Sequence, residues 1–122
     1  GMECGIKLRN YNDFKENDAQ RLLFKESEEL IKINFAESIE KFKSTLKLNL
    51  NSSLAAAASL SIGYYYDQES LADSALKYYR FTMDKYPNSE QSIIASERAE
   101  AITFALSLIK TDSASSSGAT AN

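Results

Sequence analysis

Residues 56–90 read AAASLSIGYYYDQESLADSALKYYRFTMDKYPNSE, and the fold turns on this stretch. The alanine run Ala55 to Ala58 belongs to a helix predicted over 54–66. Asp67-Gln68-Glu69-Ser70 reads as a break, with the acid-rich chemistry of a helix start. Leu71, Ala75, Tyr78, Tyr79 and Met83 then fall on a second helix. That helix must end near Tyr86, because Pro87 disfavours helical geometry in the residue before it. Gly63 and Ala75 are small where the two helices would cross closely. Ile62, Tyr66 and Tyr79 would fill the space beside them, and Pro87 would turn the chain into its next element. An alanine or a tyrosine in a helix is usually ordinary core. The joint spacing is what predicts two helices packed as a hairpin.

Upstream, Asn17 and Asp18 are candidate N-caps for a helix carrying Ala19, Leu22, Leu23, Leu30 and Ile33. Asn34 interrupts it, since Asn tolerates left-handed geometry. Phe35, Ile39, Phe42 and Leu46 then step by three and four as one helical stripe. Asn49 to Ser53 is a break built of capping residues. Ser38, Phe42 and Leu50 precede Ala75, Tyr79 and Pro87 by the same 37 residues, as Thr45 precedes Thr82, Ile39 precedes Leu76 and Leu46 precedes Met83. Downstream, Asn88-Ser89-Glu90 caps a last helix reaching about Ile109. Strand signals are missing. The expectation is an all-α chain of about five antiparallel helices, with an N-terminal arm over 1–15, a helical domain over 16–110 and a disordered Ser/Ala-rich tail over 111–122.

The spacing of Ile62-Gly63, Tyr66, Ala75, Tyr79 and Pro87 resembles the tetratricopeptide repeat, a helix pair of about 34 residues. The family's leading Trp position falls on Ser59. Its large-small pair is lost upstream at Lys25-Glu26 and downstream at Ser96-Glu97, so the last helix reads as a cap. The resemblance implies a short right-handed solenoid of helix pairs that holds a protein or peptide. In that family ligands lie along the first helix of each pair. Carried onto this chain, this places Leu23, Leu60, Tyr64, Gln68, Ile94 and Arg98 toward the concave side. Some members grip a terminal carboxylate with basic and amide residues, but Ala57, Leu60 and Tyr64 occupy that kind of position here. The implied ligand is an apolar segment. The turn Lys85-Tyr86-Pro87-Asn88-Ser89 is further similar to repeats of bacterial cell-envelope proteins, such as the outer-membrane-assembly lipoprotein and the Tol-Pal accessory protein.

Composition removes several function classes. The 122 residues carry a net charge of −3, and the lysines are scattered, which speaks against nucleic acid. Tyr64-Tyr65-Tyr66 does not form a base-stacking platform, because consecutive helical residues point about 100° apart. With no His and one cysteine, Cys4, neither a disulfide nor a zinc site has a ligand set. Glu26 with Glu29, and Glu97 with Glu100, read as solvated pairs rather than acid-base machinery. No phosphate loop is present, and no run approaches the ~20 apolar residues of a membrane span. No enzyme activity, metal or cofactor is expected. Asn51-Ser52-Ser53 fits a glycosylation sequon, which matters only in a secretory pathway. Gly1-Met2 reads as a residue ahead of a native start, which gives a cytoplasmic protein; an internal Met2 behind a trimmed leader would instead give a periplasmic or envelope one.

The last helix also predicts self-association. Ala95, Ala99, Ile102, Leu106 and Ile109 form the stripe that should cover the core. A terminal cap should be polar outside, yet Phe104 lies roughly 200° from Ile102 around the helix. Phe104 and Leu108 therefore share an outward apolar face. They predict a homodimer, unless the arm residues Ile6, Leu8, Tyr11 and Phe14 fold back over them.

Overall fold

The computed structural model describes residues 18–121, with side-chain surroundings through 109. Its described residues form five helices and no strand. Helix α1 covers 18–30. It is followed by α2 (Phe35–Leu48), α3 (Ser53–Gln68), α4 (Ala72–Lys85) and α5 (Glu90–Ala121). The arm residues and Cys4 lie outside the described part.

Short polar side chains start α2, α3 and α5, because each helix leaves its first amides without partners. Asn34 caps α2 by accepting from the Glu37 N–H at 3.1 Å. Ser52 caps α3 by accepting from the Ala55 N–H at 3.0 Å, and Ser89 does the same at α5 from the Ser92 N–H at 3.0 Å. These two serines are 37 residues apart. Each also sits within donating reach of the carbonyl three residues back, Asn49 O at 3.1 Å and Tyr86 O at 2.7 Å. The 37-residue period therefore extends to the caps.

The α3–α4 turn forms differently from expectation. Asp67 and Gln68 remain helical, and the turn is Glu69 to Leu71. Ser70 takes φ 62°, the left-handed geometry that ends many helices. Its N–H donates to Asp67 O, and the Leu71 N–H donates to Tyr66 O, both at 2.9 Å. Orphan carbonyls of α3 are satisfied this way, and Leu71, the N-cap of α4, offers no side-chain cap.

Consecutive helices pack as antiparallel pairs. Between α3 and α4, Gly63 lies under the Tyr79 ring, and the Ser59 and Thr82 hydroxyls meet at 2.8 Å. The α1–α2 pair repeats the device, with Ser27 and Thr45 hydroxyls 3.5 Å apart. All four hydroxyl residues are fully buried. At the other end of α1, buried Gln20 donates to Thr45 O at 2.8 Å and Asn49 O at 3.1 Å, and accepts from the Ser52 hydroxyl at 2.6 Å. An amide this deep is tolerated because its hydrogen-bonding capacity is met.

Two apolar clusters meet across α3. One comprises Ile39, Phe42, Leu46, Ala55, Ala58 and Ile62, with Phe24, Tyr65, Tyr78 and Phe81 packed on it. The other comprises Ala75, Leu76, Tyr79, Ala95 and Ala99, with Leu60, Met83 and Ile102 packed on it. Equivalent positions do equivalent work: Ser38 and Ala75, Ile39 and Leu76, Phe42 and Tyr79, and Thr45 and Thr82 are all buried.

Helix α5 departs from expectation twice. The covering stripe stops at Ile102, while Leu106 and Ile109 are 38% and 61% exposed. The reason is length. Helix α4 has 14 residues, about 21 Å. Its first turns, at Asp73 and Leu76, only border Leu106, Ser107 and Ile109 across an open groove, and every described residue from Phe104 to Ile109 is exposed. The helix also continues to Ala121 rather than ending near Ile109. Extending a formed helix requires no new nucleus. The Ser/Ala/Thr run contains no Pro to stop it, and Gly118 opposes helix by only about 1 kcal/mol.

Candidate functional site

The residues proposed for the concave side belong to α1, α3 and α5. The structure brings two of them into contact. The Arg98 guanidinium lies 5.6 Å from the Tyr64 ring centroid, and Tyr64 also meets Tyr65 edge-on at 5.5 Å. Tyr64 keeps 42% of its surface exposed, and Ile94 keeps 44%. Gln68 is exposed at the end of α3. Leu60 is half-buried against the second apolar cluster, so it packs α3 onto its neighbours. Leu23 is half-buried on α1.

A charged knot fixes this surface from beneath. Arg98 donates to one oxygen of Asp67, Oδ2, through Nε at 3.1 Å and Nη2 at 2.7 Å. The Tyr79 hydroxyl donates to the same oxygen at 3.0 Å. One carboxylate thus joins α3, α4 and α5. Asp67 is the residue that reading the sequence missed, since it was assigned to a break. A cue was present: Asp67 stands three residues after Tyr64, hence on the same helix face. Gln20 gave no comparable cue, because nothing in its neighbourhood predicts a buried amide.

Burial pushes the Tyr79 phenol up to about 12. Arg98 pulls the other way, and Asp67 adds to the rise by accepting the proton. A raised folded-state value means that Tyr79 contributes stability in full below pH ~10, its ordinary value. That contribution is lost as pH rises through about 12. In an alkaline titration followed by tyrosinate absorbance, the last step to appear should vanish in Tyr79→Phe. A variant whose last step is unchanged would place that phenol elsewhere.

Of the repeat-packing residues, Ile62, Gly63, Ala75 and Tyr79 are buried. Tyr66 is half-buried, its ring 6.0 Å from both Phe35 and Tyr78. Pro87 is exposed and acts by stopping α4 rather than by packing. Phe104 and Leu108 are 66% and 49% exposed.

Open grooves lie away from Tyr64. One follows the α4–α5 seam, where Leu76, Arg80 and Met83 face Ser96, Ala99 and Thr103. Among the described residues no three His, Cys, Asp or Glu side chains gather to hold a metal ion. No described helix is long and apolar enough to cross a membrane. The chain matches no known family model, no curated protein and no solved structure.

Proposed function

We propose that this chain is a non-catalytic, tetratricopeptide-like interaction module that holds an apolar stretch of polypeptide along α1, α3 and α5. The observation that carries the reading is the Tyr64–Ile94 surface. Two large apolar side chains stand exposed on helices whose spacing is locked by the Asp67 knot. A half-exposed tyrosine is well suited to recognition, being large, stiff and amphipathic. Arg98 is already paired with Asp67, so the surface offers little net positive charge for an acidic tail. The test is a peptide-display selection against wild type and against Tyr64→Ala with Ile94→Glu. The expected result is enrichment of apolar peptides by wild type and its loss in the variant. Enrichment of acidic tails, or equal enrichment by both proteins, would refute the reading. Arg98 is left untouched, because replacing it would unpair Asp67.

A second reading is self-assembly as a dimer. It is favoured by one observation: Phe104, Leu106, Leu108 and Ile109 are all exposed where α5 outruns α4. Four large apolar side chains within six residues approach the patch size that marks an interface.

A further inference from the structure

The 37-residue period says what kind of object belongs in the α4–α5 groove. Helix α4 itself occupies the preceding seat. It lies on α3 beside Ser59 and Ile62, and it sets Tyr78 and Phe81 against the cluster containing Ile39 and Leu46 of α2. Advancing that seat by 37 residues replaces Ser59 and Ile62 with Ser96 and Ala99, and Ile39 and Leu46 with Leu76 and Met83. These four residues line the open groove. The groove is the next helix seat of the stack, and its apolar floor suits a helix that brings an aromatic side chain.

We infer that this seat receives α5 of a second copy of the chain, packed antiparallel about a twofold axis, with Phe104 of each copy in the groove of the other. The inference rests on the self-assembly reading and adds where and how the copies meet. The surface is complementary to itself, which is the requirement of a twofold contact. Its knob and its hole are neighbours: Phe104 borders the same groove that Ser96, Ala99 and Thr103 keep open with small side chains. Its charges are complementary too. Arg80 lies on the α4 side and Glu100 on the α5 side, and among the described residues neither has an ion-pair partner. Twofold rotation sets each Arg80 toward the other copy's Glu100. The arrangement also covers the overhang of α5, which α4 is too short to reach.

Glu100 marks a departure from the earlier seat. It stands 37 residues after Gly63, where α3 lets the Tyr79 ring approach closely. A carboxylate there prevents an equally tight crossing and instead offers a charge to the rim. Rim charges select a partner and its orientation more than they add affinity, which suits a contact that must choose its own copy.

Sedimentation equilibrium on the full chain tests this, with Phe104→Ser, Arg80→Glu and Glu100→Arg. All three side chains are exposed, and circular dichroism should show unchanged helicity. Wild type is expected to dimerise, and Phe104→Ser to weaken the dimer by about tenfold or more, as loss of a central aromatic anchor does. Each charge reversal should weaken it by roughly fivefold. An equimolar mixture of Arg80→Glu and Glu100→Arg should recover dimer, because the mixed pair restores both oppositely charged contacts. A monomeric wild type would overturn the inference together with the self-assembly reading. A dimer indifferent to Phe104→Ser, or no recovery on mixing, would overturn the seat while leaving self-assembly standing.

Discussion

Gly63→Leu is expected to lower stability by about 3 kcal/mol or more, the upper end of what overpacking a core costs. A Cβ at residue 63 would stand 2.8 Å from Cδ1 and 2.9 Å from Cε1 of Tyr79, and 3.4 Å from the carbonyl oxygen of Ala75. The ring cannot retreat easily. Tyr79 is fully buried and its hydroxyl is tied to Asp67. A leucine must place three further carbons beyond that crowded Cβ, so α3 and α4 must separate. For a domain of this size the loss corresponds to a fall in melting temperature of roughly 12–24 °C. Gly63→Ala should do less harm, since better helix propensity returns about 1 kcal/mol. Thermal and urea denaturation measure both. A Gly63→Leu protein melting with wild type would mean that the close crossing does not exist.

Phe42→Ala is expected to cost about 4 kcal/mol, within the range for deleting a buried phenyl ring. The ring is fully buried. It meets Phe24 of α1 edge-on at 5.5 Å and Tyr65 of α3 at 5.7 Å, so one side chain ties three helices together. Its removal opens a cavity at the centre of the first apolar cluster. Against a typical total of 5–15 kcal/mol, this is a large fraction of the stability of such a domain. The urea midpoint should drop sharply while the helices re-form on dilution. A midpoint shift worth under about 1 kcal/mol would show that the cluster closes over the gap, contrary to the packing described.

Much of the architecture was legible in residues with a local mechanism. Asn34, the Asn49–Ser53 run and Pro87 announced helix boundaries and the helices change there, although Asn34 does so as an extended N-cap with φ −150° rather than through the left-handed geometry expected of it. Gly63, Ala75 and Tyr79 announced a close crossing by size alone. Tyr66 and Tyr79 were both expected to fill the core, although Tyr66 proves half-buried. What stayed hidden depended on relationships between elements. The α5 stripe read as buried to Ile109 because periodicity measures a helix against itself; the cover ends where α4 ends. Asp67 looked like a helix breaker, because acids crowd helix starts, and nothing local says that an arginine 31 residues later will hold it. Gln20 carried no local signal of burial, since its partners are carbonyls and a hydroxyl 25 to 32 residues distant. The contact of Tyr64 with Arg98 was foreseen only as membership of one face, not as a stacked pair.

The two helix pairs share a buried hydroxyl couple, but only the second holds an acceptor for Tyr79. The hydroxyl couples Ser27–Thr45 and Ser59–Thr82 are alike, so α4 laid against α1 would still find a serine for Thr82. The Tyr79 hydroxyl would not be so fortunate. Its rightful acceptor is Asp67 on α3, and the segment from Leu30 to Phe35 carries no carboxylate. Phe42, its counterpart in the first pair, has no hydroxyl to strand. A buried phenol without an acceptor penalises only the wrong arrangement. The oxygen on Tyr79 thus acts as an address label. It lets a chain assembled from similar parts count its own helices, and it defends against exchange of one pair for the other within a chain or between two chains during folding.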